Sequence, residues 1–132
     1  MTHDRLSVLV VDDDHDTADS LATLLYLTGY HARAAYSGID AQRMAAEEWP
    51  DVVILDLLMP GVDGWELAHR LDPGPRGMRP LLIAVTGLEG KDDRQRAREA
   101  GIDLYLLKPV PLDALASVLD RFWQVIAPIV VE

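Results

Sequence analysis

Five polar residues of this 132-residue chain each stand at the end of a short apolar run. Asp12 and Asp13 follow residues 6–11, Asp56 follows 52–55, Thr86 follows 81–85, and Lys108 follows 104–107. If the runs are strands of one parallel sheet, three carboxylates, one hydroxyl and one ammonium gather at the edge where ligands of open α/β sheets bind. Two carboxylates ~4 Å apart repel by roughly 4 kcal/mol at an effective dielectric near 20, so three of them need compensating positive charge. Lys108 supplies some, and a divalent cation supplies more. The lack of His and Cys at these positions favours a hard ion, and Mg2+ typically takes one or two carboxylates, waters and a phosphoryl oxygen. With Asp12 and Asp13 on the cation, Asp56 is free to attack phosphorus. Thr86 can donate to one phosphoryl oxygen and Lys108 can neutralise another, so the chemistry within reach is phosphoryl transfer to an aspartate.

The elements that must position these residues are readable from hydrophobic pattern. The four runs are continuous rather than alternating, which predicts strands covered on both faces, as in a parallel sheet. Residues 31–36 alternate more and predict a weaker strand, suited to an edge. Helical spacing appears between the runs: Ala18, Leu21, Ala22 and Leu25 share one face, and further helices are expected over 39–48, 64–71 and 91–100. Leu112, Leu115, Leu119, Phe122 and Ile126 mark the last helix. Asp14 or Asp16 is expected to cap the first helix, and Gly29, Trp49-Pro50 and Gly101 supply helix stops. Five β-α units in strict alternation imply right-handed crossovers and a doubly wound, three-layer α/β domain. This domain is expected over residues 1–126, with a short tail at 127–132 and a breaker-rich surface loop at 72–77.

Composition narrows the function. The 22 acidic residues against 12 Lys and Arg give a formal charge of -10, which disfavours nucleic acid and anionic membrane as direct partners. With no cysteine there are no disulfides and no thiolate zinc sites. No apolar run reaches membrane-spanning length and the start lacks the pattern of a signal peptide, so a cytoplasmic location is expected. His3, His15, His31 and His69 are scattered and read as surface or packing residues. Trp49, Trp65 and Trp123 read as structural.

Competing motifs fit poorly. Asp12-x-Asp14-x-Asp16 starts like an EF-hand loop, but Thr17 replaces its turn glycine and Thr23 its bidentate Glu. Gly90-Lys91 lacks both the first glycine and the Ser/Thr of a P-loop, with Val85 and Asp92 in those places.

Five separated motifs carry a family resemblance: Val10 to Asp14 (VVDDD), Asp56 to Gly64 (DLLMPGVDG), Thr86-Gly87, Tyr105, and Lys108-Pro109. With these the chain resembles the receiver domain of bacterial two-component response regulators, over about residues 5–126. The resemblance implies the strand order 2-1-3-4-5. It implies that Asp56 accepts a phosphoryl group from the phosphohistidine of a sensor histidine kinase or phosphotransfer protein. It also implies that Asp12, Asp13, Asp56 and the backbone carbonyl of Leu58 hold Mg2+, with Mn2+ as a possible substitute. Thr86 and Tyr105 would form a switch pair, Lys108-Pro109 a cis peptide, and the fourth helix, fifth strand and fifth helix the surface that phosphorylation reshapes. Such a chain is a phosphoacceptor rather than an enzyme, acts on an output protein or domain, and is a monomer or a phosphorylation-dependent dimer. Two alternatives stay open: a haloacid-dehalogenase-like phosphatase, although Asp13-x-His15 departs from its motif, and a constitutive interaction module of the same fold. Leu58 and Leu88 occupy positions where some relatives place polar groups that orient water, so a long-lived acyl phosphate is expected.

Overall fold

The computed structural model of the chain describes residues 6–71, 77, 79–88 and 90–130. His3, most of the expected 72–77 loop and the last two residues of the expected tail lie outside the described residues. The elements run β1 (Ser7–Val11), α1 (His15–Leu27), β2 (His31–Ala35), α2 (Gly38–Glu47), β3 (Val52–Leu55), α3 (Gly64–Arg70), β4 (Leu81–Thr86), α4 (Lys91–Glu99), β5 (Leu104–Leu107) and α5 (Leu112–Val130). All strand pairs are parallel, in the order β2-β1-β3-β4-β5. This is the expected doubly wound arrangement, with the weakly patterned β2 at one edge.

The continuous apolar runs are explained by two cores. Successive strand side chains point to opposite faces, so Leu9, Val11, Val53 and Leu55 pack with α2, α3 and α4, while Val8, Val10, Val52 and Ile54 pack with α1 and α5. Ala18, Leu21, Ala22 and Leu25 are the buried residues of α1, as their spacing predicts. Of the two expected caps, Asp14 takes the position, accepting from the backbone N–H of Asp16 and Thr17. Gly29 and Gly101 follow their helices with φ of 108° and 90°, the left-handed conformation that glycine adopts without steric cost.

Most boundaries fall within one residue of expectation, and two differences bear on the reading. β4 includes Thr86 as its last residue. α5 continues past Ile126 to Val130 and so includes Pro128. Proline here lacks the N–H bond to the preceding turn and crowds the carbonyl four residues back, but so close to the C-terminal end only two helical residues follow it.

Helix α4 is held differently from its neighbours. Its N-cap is Gly90, which makes no side-chain cap bond, and Ala97 is the only buried residue within it. Helix α3, by contrast, is braced against the loop that follows β3. Asp63 caps it through Glu66 N–H (2.9 Å), and Gly64 N–H donates to the Leu57 carbonyl (3.0 Å). A Cβ on Gly64 would lie 2.5 Å from the Asp56 carbonyl oxygen and 2.6 Å from Leu57 Cα, both backbone atoms that cannot swing aside. Only glycine lets α3 start this close to Asp56. Gly64→Ala is expected to lower stability by about 1–3 kcal/mol, the usual cost of overpacking, measured as the loss in urea-unfolding free energy relative to the native chain.

Candidate functional site

Strand register sets the site. Val11 pairs with Leu55, and Asp56 N–H donates to the Val11 carbonyl (3.0 Å), so Asp12 and Asp56 leave adjacent strands at the same level. Asp12 is buried, Asp56 half-buried and Asp13 exposed. One carboxylate oxygen from each lies within 4.8 Å of the others. Asp12 Oδ1 accepts from Asp14 N–H (3.0 Å), and Asp56 Oδ1 accepts from Leu58 N–H (3.1 Å). These bonds leave the second oxygen of each carboxylate for Lys108, whose Nζ lies 3.3 Å from Asp12 Oδ2 and 3.1 Å from Asp56 Oδ2. Lys108 is placed by its own N–H, which donates to the Thr86 carbonyl (2.9 Å), and is followed by the expected cis peptide to Pro109.

The electrostatics follow from burial and crowding. Desolvation pushes the Asp12 carboxyl above the usual carboxylate range, and the Asp56 charge adds to this against the opposing pull of Asp14 N–H and Lys108. For Lys108, burial disfavours the ammonium, but the hydrogen bond to Asp56 and the charges of Asp56 and Asp12 outweigh it and raise its pKa. The two shifts act oppositely on stability. An acid with a raised folded-state pKa destabilises the fold as pH climbs through the acidic range and it ionises; the Lys108 contribution is present at neutral pH and is lost only as pH rises through its raised value. Three carboxylates against one ammonium leave the cluster with a net charge of -2. An all-oxygen set with that surplus suits a small divalent cation.

Thr86 and Tyr105 converge on one backbone position. Thr86 is fully buried at the end of β4, and its Oγ1 accepts from Leu88 N–H (3.3 Å). Tyr105, half-buried on β5, donates its hydroxyl to the Leu88 carbonyl (2.6 Å). Burial raises the Tyr105 pKa, which keeps the hydroxyl protonated as a donor. Both residues therefore grip the segment that leads into α4. The Leu58 side chain is 55% exposed, whereas Leu88 packs against the α2–α4 core.

The structure thus brings Asp12, Asp13, Asp56 and Lys108 together, with Thr86 one strand away and Tyr105 linked to it through Leu88. The sequence reading missed the arginines of α4. Arg94 lies 4.8 Å from the Tyr105 ring centroid, and Arg96 lies 3.9 Å from that of the buried Trp65, tying α4 to α3. The available signal was four basic residues among the nine of α4 in a strongly acidic chain. Their ring partners lie too far away in sequence to be paired by pattern.

Comparison with known proteins agrees with this geometry. Residues 8–120 match the family model of the response regulator receiver domain. The chain is 37% identical over 110 residues to response regulator MprA of Mycobacterium tuberculosis, covering 83% of this chain and 47% of MprA. It is 34% identical over 122 residues to response regulator PleD of Caulobacter vibrioides, covering 90% of this chain and 27% of PleD. The chain therefore spans less than half the length of these relatives. Among solved structures, Vibrio cholerae chemotaxis protein CheY4 superposes with a TM-score of 0.81 at 25% identity, covering 89% of this chain and 98% of CheY4. The signal receiver domain of a Syntrophus aciditrophicus signal transduction histidine kinase gives 0.80 at 32% identity, covering 90% of each chain. Nothing in the site or in these relatives favours a phosphatase of the haloacid-dehalogenase type. With the expected strand order, the strand-end acidic cluster and a family match over most of its length, the chain belongs to the response regulator receiver domains of two-component signalling.

Proposed function

We propose that Asp56 is the phosphoacceptor of this receiver domain and that the Asp12–Asp13–Asp56 cluster with Lys108 is its reaction centre. The observation that carries the reading is the shared ammonium: Lys108 bridges Asp12 and Asp56 while a third carboxylate stands beside them. In the reaction, an Asp56 carboxylate oxygen attacks the phosphorus of a phosphohistidine on a sensor histidine kinase or phosphotransfer protein. The new P–O bond forms as the P–N bond breaks, and the bonding pair returns to the imidazole nitrogen. Leu58 N–H holds the other Asp56 oxygen, which orients the nucleophile. Lys108 is placed to move from Asp56 to a phosphoryl oxygen, and the Thr86 hydroxyl to donate to another.

The donor set fits Mg2+, or Mn2+ in its place, held by Asp12, Asp13, Asp56 and the Leu58 carbonyl. When bound, the cation offsets the carboxylate charges and the phosphoryl oxygens that must approach them. In this reading, turning Thr86 toward a phosphoryl group releases its contact with Leu88 N–H, and Tyr105, bound to the Leu88 carbonyl, follows the segment. The lightly anchored α4 then shifts, changing the α4–β5–α5 face offered to an output protein or domain. Among the described residues no helix is long and apolar enough to cross a membrane, and action in the cytoplasm accords with a kinase partner. The domain itself is a phosphoacceptor rather than an enzyme, as a monomer or as a dimer formed on phosphorylation.

Incubation with acetyl phosphate and Mg2+ is expected to add the mass of one phosphoryl group to the native chain and none to Asp56→Asn. If no kinase or small donor adds it and no Mg2+ binds, the constitutive interaction module becomes the better reading. Mg2+ at one hundred times its dissociation constant is expected to stabilise the native chain by about 2.7 kcal/mol. Asp12→Asn should lose most of that gain, as read from urea unfolding. Followed over time, the phosphoryl mass is expected to decay at least about tenfold faster in Leu58→Asn/Leu88→Glu, which restores polar groups able to orient water. An unchanged half-life would remove the leucines as the cause of persistence.

A further inference from the structure

At the edge of the sheet opposite β5, strand β2 pairs only with β1. His31 N–H donates to the Leu6 carbonyl (2.9 Å) and the Ala35 carbonyl accepts from Asp12 N–H (3.1 Å), so the odd-numbered residues of β2 are bonded inward. Ala32 and Ala34 therefore turn their backbone N–H and C=O groups to the open edge. Exposed edges are commonly blunted by a charge, a proline or a bulge, and on its α1 face β2 carries none of these. Beside the edge runs a groove of about 490 Å³, lined by Asp19, Thr23 and Tyr26 of α1 and by Ala32, Ala34 and Tyr36. The basic side chains of β2 lie on the other face, where Arg33 donates to the Met44 and Glu48 carbonyls (3.3 and 2.9 Å) and His31 pairs with Glu48 (3.2 Å). Asp19 is thus the one charged residue lining the groove. Its Oδ1 accepts from the Tyr36 hydroxyl (2.5 Å), and it makes no ion pair among the described residues. His15 stacks on the Tyr36 ring, 3.9 Å between centroids, and so holds that ring beside the carboxylate.

We infer that this groove takes an extended, arginine-bearing segment of a partner protein, added to β2 as a further strand with its guanidinium on Asp19 and the Tyr36 ring. Backbone hydrogen bonds to Ala32 and Ala34 supply the pairing, and the groove supplies the choice of side chain. A guanidinium suits it because the plane can stack on a tyrosine ring while its N–H groups reach the carboxylate. Charge decides between possible occupants: a second copy would bring another chain of formal charge -10 and a second Asp19, whereas a basic segment meets an acid that has no cation. Length sets the motif. Asp19 and Tyr26 stand two turns apart on α1, about 10.5 Å along the axis, and same-face residues of an added strand are about 6.6 Å apart. The groove therefore holds the arginine and one neighbour on the same face, which lies over Ala32 or Ala34 beside the exposed Tyr26. The partner segment carries arginine, any residue, then an apolar residue, read in either strand direction. This edge lies across the sheet from the α4–β5–α5 face, and the inference does not depend on phosphorylation of Asp56.

The test titrates a capped peptide with the core Val-Thr-Arg-Thr-Val, symmetric so as to fit both strand directions, into the isotope-labelled full chain and follows backbone amide NMR signals. Saturable shifts are expected at Ala32, Ala34 and Tyr36, with slower hydrogen exchange of the Ala32 and Ala34 N–H groups. The isomer Thr-Val-Arg-Val-Thr keeps the charge but turns its valines to the other face, and should bind several-fold more weakly. Asp19→Asn, which keeps an acceptor for Tyr36 but loses the charge, should raise the dissociation constant about threefold or more. Tyr26→Ser, a change at an exposed position, should weaken binding as well. No saturation up to about 5 mM, equal binding of the two peptides, equal binding by the native and Asp19→Asn chains, or shifts confined to other elements overturns the inference. So does a peptide-free dimer in sedimentation equilibrium with the Ala32 and Ala34 amides already protected, because the edge then serves a second copy. No phosphoryl donor is present, so failure here leaves the Asp56 reading standing, and failure of that reading leaves the groove.

Discussion

Three carboxylates with oxygens within 4.8 Å of one another repel, and the fold holds them there against that repulsion. Strand register brings Asp12 and Asp56 to one level, and backbone N–H groups of Asp14 and Leu58 each fix one oxygen of a pair. Lys108 arrives from the far side of the sheet to bridge the remaining two, and its own backbone is fastened to Thr86. Burial, more than the neighbouring Asp56 charge, raises the Asp12 pKa, so the fold also bears the cost of desolvating this carboxylate. A site left with surplus negative charge is primed for a cation, and a cation prepares it for an anionic phosphoryl group.

The same economy of contacts appears at the output side. Thr86 and Tyr105 hold opposite backbone groups of Leu88, so one residue links the site to the segment before α4. That helix buries only Ala97 and has no side-chain N-cap, while α3 is wedged against the Asp56 loop at Gly64. A tightly braced helix next to the site and a lightly held one beyond it give a direction to any rearrangement: α4 moves at lower cost. Arg96 over Trp65 also ties α4 to α3, through a cation–π contact made by an exposed side chain.

How much of this was legible depended on whether the cause was local. β1, β3 and β4 could be read because both faces are buried, which forces continuous apolar runs, and β5 because its half-buried apolar side chains pack against both cores. β2 was harder, since an edge strand with His31 and Arg33 on it satisfies only part of that pattern. Pro128 reads as a breaker, and the helix end beyond Ile126 was therefore hidden. The candidate site residues were legible because strand ends fix their positions, and the family motifs fall on the same residues. The junction at Leu88 was not, because it is made of backbone groups that leave no side-chain signature. Arg96 and Trp65 are 31 positions apart, and nothing local in either segment announces the other.

The central claim is that Asp56 and its neighbours form one reaction centre for a divalent cation and a phosphoryl group. The most direct measurement is a crystal structure grown with Mg2+ and beryllium trifluoride, a phosphoryl mimic. The account predicts the mimic on an Asp56 carboxylate oxygen, the cation on Asp12, Asp13 and the Leu58 carbonyl, and Lys108 and Thr86 facing the fluorines. A mimic absent from Asp56 under saturating conditions, or a cation held away from Asp12 and Asp13, would contradict it.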